Sequence, residues 1–250
     1  ECSSLTQITI PSSVTSINEY AFSECSLLSE ISIPPSINSI REYTFSGCSA
    51  LVKVSIPSSV TSIGESAFLG CSSLQLISIP NSVISIGIHA FEHCTALSQV
   101  SIPASVNLIG GNAFSECSAL SQVLIDSNSK MSSIDEYTFL GCSSLAQIFI
   151  PASVNSIEKC AFSGCSALSH VTIPSSVNSI GVRTFEQCIS LEQIVVPSSV
   201  NSIGEDAFKG CSSLVQLSIP KNIEQIDSLG IKELDKIKRI WVHQVLLLLF

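Results

Sequence analysis

Apolar and polar positions repeat along the chain with a period of about 23 residues. The shared pattern is L-x-x-I-x-I-P-x-S-V-x-S-I-G-x-x-A-F-x-x-C-S-x, and ten units of it begin at Leu5, Leu28, Leu51, Leu74, Leu97, Leu120, Leu145, Leu168, Leu191 and Leu214. One unit is too short to bury its own apolar side chains. Stacked units share a continuous core, so the repeat predicts a solenoid.

Each unit predicts a strand, a turn and a second short element. In L-x-x-I-x-I the last apolar residues alternate, as in Ile8 and Ile10, which is the period of a strand. Proline ends the strand because it cannot donate to a ladder. S-V-x-S-I-G predicts a turn with room for a second short strand. The A-F-x-x-C segment predicts one helical turn with alanine and phenylalanine facing inward.

These residues carry a family resemblance. The pattern L-x-x-I-x-I-P-x-x-V-x-x-I-x-x-x-A-F-x-x-C resembles the BspA-like, or treponemal-type, leucine-rich repeat, and units such as 51–73 and 168–190 fit it at nearly every fixed position. The resemblance implies a right-handed coil with a parallel β-sheet on one face and short strands or helical turns on the other. We expect about ten 23-residue repeats.

Two departures from the pattern suggest the domain organisation. Residues 126–131 lack the proline and contain two extra residues, which predicts a bulged loop. At Ser228 the A-F-x-x-C signature ends, but Ile237, Ile240 and Val242 keep the strand positions in register. We therefore expect a solenoid over residues 1–227 and a C-terminal capping segment over residues 228–250. Net charge changes at this boundary, from −10 over residues 1–219 to +1 over residues 220–250.

Composition narrows the class of partner. The formal net charge is −9, only 12% of residues are charged, and about a fifth are serine. An acidic chain of this kind does not attract nucleic acid or an anionic membrane surface, so we expect neither as a partner. No apolar run reaches the roughly 20 residues of a membrane span, and no signal peptide is visible.

The cysteines raise the question of metal or redox chemistry. Ten of the eleven occupy one repeat position and point the same way, so we expect a ladder of buried free thiols rather than disulfides. Cys160 lies outside the ladder, and its exposure and reactivity stay open. His89 and His93 have the spacing of a metal pair, but no third ligand is implied. With no catalytic motif present, we expect neither an enzyme nor a cofactor nor a metal.

Strand alternation predicts which residues face solvent. Two rows of outward positions, mostly glutamine in the first and serine or threonine in the second, flank the central apolar residue of each strand. Large apolar residues interrupt the second row. The candidate protein-binding face therefore consists of Leu124, Phe149, His170, Thr172, Val195 and Trp241. Neutral variation among repeats is the alternative explanation.

The C-terminal tail is a second candidate interaction segment. It consists of Val245, Leu246, Leu247, Leu248, Leu249 and Phe250. Burial of such side chains is worth about 1.5–3 kcal/mol each, so the tail should find a partner. It either folds back as a cap or packs against another chain as a homo-oligomer, and we favour association.

Three functions are compatible with these features. The resemblance implies a cell-surface or secreted adhesion and recognition module that binds a protein ligand, such as an extracellular-matrix protein or a host cell surface. An exposed strand edge at the N-terminal coil favours a self-assembling structural module. Reduced thiols and the absence of glycosylation sequons favour a cytoplasmic scaffold.

Overall fold

The chain folds as a parallel β-solenoid in which each coil pairs in register with the next, as Glu30 does with Lys53. A computed structural model describes residues 2–223, 226–231, 239–242 and 245–247, with the backbone alone for residues 226–227, 239–242 and 245–247. The first strands of seven coils form one parallel sheet, in the order β1 (Glu30–Ser32), β3 (Lys53–Ser55), β5 (Leu76–Ser78), β7 (Gln99–Ile102), β9 (Gln122–Ile125), β11 (Gln147–Phe149) and β13 (His170–Thr172).

The second strands are two residues long and form two separate four-stranded sheets. The first contains β2 (Ser39–Ile40), β4 (Ser62–Ile63), β6 (Ser85–Ile86) and β8 (Leu108–Ile109). The other contains β10 (Ser133–Ile134), β12 (Ser156–Ile157), β14 (Ser179–Ile180) and β16 (Ser202–Ile203). The two-residue insertion lies between β9 and β10 and interrupts the second-strand ladder at that point. Its turn is closed by the backbone N–H of Asn128, which donates to Asp126 Oδ1 at 2.8 Å.

A mixed sheet forms the C-terminal part of the described structure. It has the order β15 (Gln193–Val195), β17 (Gln216–Ile219), β18 (Arg239–Val242) and β19 (Val245–Leu247). Leu217 pairs with Ile240 and Ile219 with Val242, so β18 continues the solenoid in the register that the sequence repeat predicts. The final strand, β19, reverses direction and pairs antiparallel with β18.

The number of complete coils is smaller than the predicted ten. Among the described residues, eight coils carry both strands, from β1–β2 to β15–β16. The described part of the first unit makes one isolated bridge, between Gln7 and Glu30. The tenth unit forms β17 but then a 3-10 helix, Ile226–Leu229, where the S-I strand sequence is lost.

The predicted helical turn is a run of tight turns shared between coils. Thr44, Ser46 and Cys48 donate their N–H groups to carbonyls three residues back, whereas Tyr43, Phe45 and Gly47 donate to the next coil. Because every second donor points along the solenoid, no continuous helix forms in this segment. The geometry requires left-handed backbone at two positions, with φ of 54° at Tyr43 and 73° at Gly47.

The core is a set of identical residues stacked on one another. Eight phenylalanines, from Phe45 to Phe208, are fully buried. Successive rings lie parallel, with centroids 5.2–5.8 Å apart when Phe22 is included. Rows of leucine, isoleucine and valine fill the space between this stack and the sheets. The inward assignment of these positions from sequence is correct.

Cysteine and serine satisfy backbone groups that the turns leave open. The thiol of each buried ladder cysteine from Cys48 to Cys211 donates to a phenylalanine carbonyl of the preceding coil, with Sγ···O distances of 3.1–3.2 Å. Ser59 and Ser82 donate in the same way to Ile37 and Val60 carbonyls, both at 2.6 Å. All eleven cysteines are free thiols, but the predicted burial of the ladder is wrong at Cys2, which is exposed in the first unit.

Burial makes these thiols hard to ionise. It raises the pKa of Cys48, Cys117 and Cys211 from about 9 to about 12, and desolvation is the largest cause in each case. Thiolates are the reactive form of cysteine, so the ladder is chemically quiet at neutral pH. The thiols behave as small apolar side chains with a weak donor.

Phe114 tests the stacked core. Its ring is fully buried between Phe91 and Phe139, with centroid distances of 5.3 and 5.7 Å. Phe114→Ala should lower the free energy of unfolding by about 3–5 kcal/mol, because it leaves a cavity that the rigid neighbouring coils cannot fill. Urea denaturation measures the effect. Phe149→Ala, on an exposed ring, is the control and should cost about 0.5 kcal/mol or less. A cost below about 1 kcal/mol for Phe114→Ala contradicts the buried position.

The raised thiol pKa values predict a loss of stability at alkaline pH. Below a pH of about 9 the thiols are protonated in both states, so their contribution is fully present. Between about 9 and 12 the unfolded chain loses protons that the folded chain keeps. Each thiol should then reduce the free energy of unfolding by about 1.4 kcal/mol per pH unit.

Cys117→Ala isolates one thiol in that measurement. Urea unfolding between pH 7.5 and 10.5 should give a shallower decline for Cys117→Ala than for the parent chain, by about 1.4 kcal/mol per pH unit above pH 9. Tyrosines and lysines titrate in both proteins and cancel. If the free energy of unfolding falls equally steeply with pH in both proteins, the raised pKa of the Cys117 thiol is contradicted.

Self-association through the tail stays a prediction. Within the described residues Val245–Leu247 pairs with its own chain, as the capping alternative requires, and residues 248–250 lie outside them. If tails associate, light scattering at tens of micromolar should give the full chain a mass above one protomer. Deletion of residues 245–250 should restore the monomer. A full chain that is monomeric at this concentration leaves only the cap.

Candidate functional site

The sheet face is the surface formed by the outward residues of the first strands. In β1, β3, β5, β11, β13 and β15 the central residue is buried and both of its neighbours are exposed. The exposed residues fall into two rows that run along the solenoid, as the sequence predicts. The rows lie about 6.6 Å apart, two residues along each strand, and their members repeat about every 4.8 Å from coil to coil.

An apolar cluster interrupts the second row of this face. We use the name sheet-face cluster for Leu124, Phe149 and Val195 together with His170 and Thr172. The side chains of Leu124, Phe149 and Val195 are 45%, 53% and 60% exposed. Val123 pairs with Ile148, which places Leu124 and Phe149 in adjacent coils, and Phe149 pairs with Thr172. The structure therefore brings five of the six sequence-predicted residues onto one face. Four of them lie on the seven-stranded sheet, and Val195 lies on the next sheet, whose β15 is beside β13.

Trp241 is the sixth predicted residue. Its backbone pairs with Ser218 in the last parallel strand, two strands beyond Val195. Its side chain lies outside the described residues, so its part in the face stays a prediction.

The sheet face between β5 and β15 has no aspartate, glutamate, lysine or arginine at its outward positions. Its outward positions are occupied by glutamine, serine, threonine, histidine and apolar residues, whereas Glu30 and Lys53 lie on the strands before it. Gln99, Gln122, Gln147 and Gln193 make no side-chain hydrogen bond to another described residue. The face thus combines free amide groups in one row with apolar groups in the other.

Other large apolar residues outside the predicted binding face are also exposed, and three of them interrupt polar positions of the two strand ladders. Leu76 is 60% exposed in the first row and lines an open depression of about 460 Å³ with Lys53, Ser55 and Ser78. Ile84 and Leu108 are exposed on the second-strand side. Each stands where most repeats have a polar residue, and comparison of the repeats at all outward positions would have identified them.

The turn edge holds most of the charge and shows no sign of a reactive centre in its described part. Arg183 and Lys209 approach Asp206 at 3.8 and 3.2 Å on the surface, where such pairs contribute little to stability. His89 Nδ1 contacts Glu92 Oε2 at 2.7 Å. Residues 2–223 and the shorter described segments contain no cluster of three or more metal-ligating side chains.

Cys160 is buried rather than accessible. Its residue is 7% exposed, and burial is the largest cause of its raised thiol pKa. An alkylating reagent meets neither an open sulfur nor an easily formed thiolate here.

Several solved structures with a similar fold are leucine-rich repeat proteins. A leucine-rich cell surface protein of Faecalibacterium prausnitzii is 30% identical, with a TM-score of 0.55 over 98% of this chain and 74% of the other. The Treponema pallidum leucine-rich repeat protein is 25% identical, with a TM-score of 0.51 over 83% of this chain and 77% of the other. A leucine-rich repeat protein of Bacteroides ovatus is 24% identical, with a TM-score of 0.51 over 94% and 91%.

The family assignment comes from the sequence. No curated protein matches it at a significant level. The profile of the BspA type leucine-rich repeat region matches six copies of the repeat, over residues 1–121 and 132–245. The unmatched residues between these ranges contain the two-residue insertion. This match covers far more than half of the chain, and the structure has the coil geometry that the repeat requires; the chain therefore belongs to the BspA-type leucine-rich repeat family.

Proposed function

We propose that this chain is the binding module of a cell-surface or secreted adhesion and recognition protein, and that it binds a host or matrix protein through the sheet-face cluster. The observation that carries the proposal is the group of exposed apolar side chains on the stretch of the sheet face from β7 to β15, whose other outward residues are polar and include no aspartate, glutamate, lysine or arginine. Leu124, Phe149 and Val195 expose about half or more of their surface to water. Exposed apolar groups close together are typical of protein interaction sites.

The architecture supports binding rather than chemistry. The leucine-rich repeat is a fold of protein interaction, and its sheet presents side chains on a rigid support. The Gln and Ser/Thr rows surround the apolar residues with uncharged hydrogen-bonding groups. An apolar centre with a polar surround is the usual anatomy of a protein interface.

The surface location rests on similarity. The Faecalibacterium prausnitzii relative is a cell surface protein and is 30% identical over nearly the whole of this chain. The free thiols do not argue against such a location. The eight ladder thiols from Cys48 to Cys211 are buried and donate to carbonyls, so packing protects them from oxidation in either compartment. Among the described residues, no helix has the length and apolar character to cross a bilayer.

Restoring the repeat consensus tests the proposal. The triple variant Leu124→Ser, Phe149→Ser, Val195→Ser should keep the fold, because all three side chains are exposed, and should weaken ligand binding by about tenfold or more. A panel of extracellular-matrix proteins and intact host cells provides the ligands, with surface plasmon resonance and cell attachment as readouts.

A matched control separates this site from general surface apolarity. The double variant Ile84→Asn, Leu108→Ser also restores the consensus and removes equally exposed apolar groups from the other side of the solenoid. It should bind as the parent chain does. Unchanged binding by the triple variant overturns the proposal.

A further inference from the structure

The form of the sheet-face cluster restricts what can lie on it, and this step rests on the proposed function. We infer that the sheet face from β7 to β15 is a docking strip for one amphipathic helix of the partner, with an apolar stripe, a neighbouring polar stripe and basic flanks. Three features of the molecule support this: the paired backbone of the sheet, the dimensions of the strip, and the charge around it.

The strands of the strip present no open edge to an extended peptide. β7, β9 and β11 pair with a strand on both sides, so their N–H and C=O groups are already used. β13 and β15 each pair on one side and lie directly beside each other, at the facing edges of two sheets. Strand addition, a common mode of peptide recognition, requires an open edge. A segment that lies across this face must therefore satisfy its own backbone groups, and a helix does so.

The dimensions of the strip match a helix that runs along the solenoid. Five coils, β7 to β15, extend over about 19 Å at the spacing of paired strands. A helix rises about 5.4 Å per turn, so about three and a half turns cover them, with nearly one turn to each coil. Leu124 and Phe149 lie one coil apart, and Val195 lies two coils beyond Phe149.

Residues on one side of a helix are spaced for these contacts. Positions three or four apart rise about 4.5–6 Å and positions seven apart about 10.5 Å, close to one and two coil spacings. Apolar residues at these helix positions contact the second row of the sheet face. The neighbouring polar stripe of the helix then contacts the first row. Gln122, Gln147 and Gln193 have free amides to receive them.

Charge at the margins favours a basic partner. Asp126 follows β9 at one margin of the strip and Glu192 precedes β15 at the other, and both are exposed. Lys130 lies in the same loop as Asp126. The chain as a whole carries a formal charge of −9. Lysine or arginine on the flanks of the helix is attracted by this field, whereas the centre of the interface needs no charge.

A pair of synthetic peptides provides the test. The probe is an 18-residue capped peptide. Its leucines are spaced three, four or seven residues apart so that they line one face of the helix. Glutamines line the neighbouring face, and lysines fill the remaining positions. Its partner has the same composition with the leucines distributed around the helix. Fluorescence anisotropy against the full chain should show micromolar binding of the first peptide and at least tenfold weaker binding of the second.

Variants of the chain assign the binding to the strip. The triple variant Leu124→Ser, Phe149→Ser, Val195→Ser should bind the striped peptide about tenfold or more weakly than the parent chain does. The double variant Ile84→Asn, Leu108→Ser should bind the striped peptide with an affinity within about twofold of that of the parent chain. The double variant Asp126→Asn, Glu192→Gln should lower the affinity for the striped peptide by a few-fold and make that affinity less dependent on salt. Far-UV circular dichroism and thermal midpoints check that each variant is folded.

The outcomes separate this inference from the proposed function. Equal binding of the two peptides, no binding of the striped peptide at millimolar concentration, or equal affinity of the triple variant overturns the helix-docking strip. If matrix or cell binding is nevertheless lost in the triple variant, the sheet face remains a protein-binding surface for a partner of another shape. If the triple variant binds both the striped peptide and the protein ligands as tightly as the parent chain does, both proposals fail.

Discussion

Hydrogen bonding between successive coils is the constraint on which the rest of the structure depends. Each first strand, each second strand and alternate residues of each turn bond to the equivalent segment one repeat away along the chain. A change in the length of a coil removes bonding partners next to the change. The two-residue insertion after β9 shows the consequence, because the second-strand sheet is divided at this point while the first-strand sheet remains continuous.

This register also determines the chemistry of the core. Every inward residue lies on its own equivalent, so each position must hold a side chain that stacks well on itself. Phenylalanine does so as parallel rings, and leucine and isoleucine do so as aliphatic columns. Cysteine and serine occupy positions where a small side chain can also donate to a carbonyl of the preceding coil. The row of free cysteines and part of the serine content thus have one structural cause.

Outward residues are free of this constraint, and the differences among repeats are concentrated there. The sheet face is uncharged over its central coils, whereas the acidic side chains lie mostly along the turns. Such segregation leaves one surface where a partner need not displace strongly hydrated charges. Leu124, Phe149 and Val195 lie on that surface, where the coils hold them at fixed spacings.

The sequence by itself determined the solenoid, the coil register and the inward or outward direction of most side chains. The nearly constant length of the repeat admits one in-register stacking, and strand alternation then assigns Phe149 to solvent and Ile148 to the core. Tertiary structure alone decided how the turns are bonded, how many coils are complete and where the tail strand pairs. Those features depend on donors and acceptors in a neighbouring coil, a full repeat away along the chain, and a local pattern contains no information on which of two partners a backbone N–H will choose. The predicted helical turn failed for this reason: alternate amides of the turn bond to the next coil, and a helix would need them all.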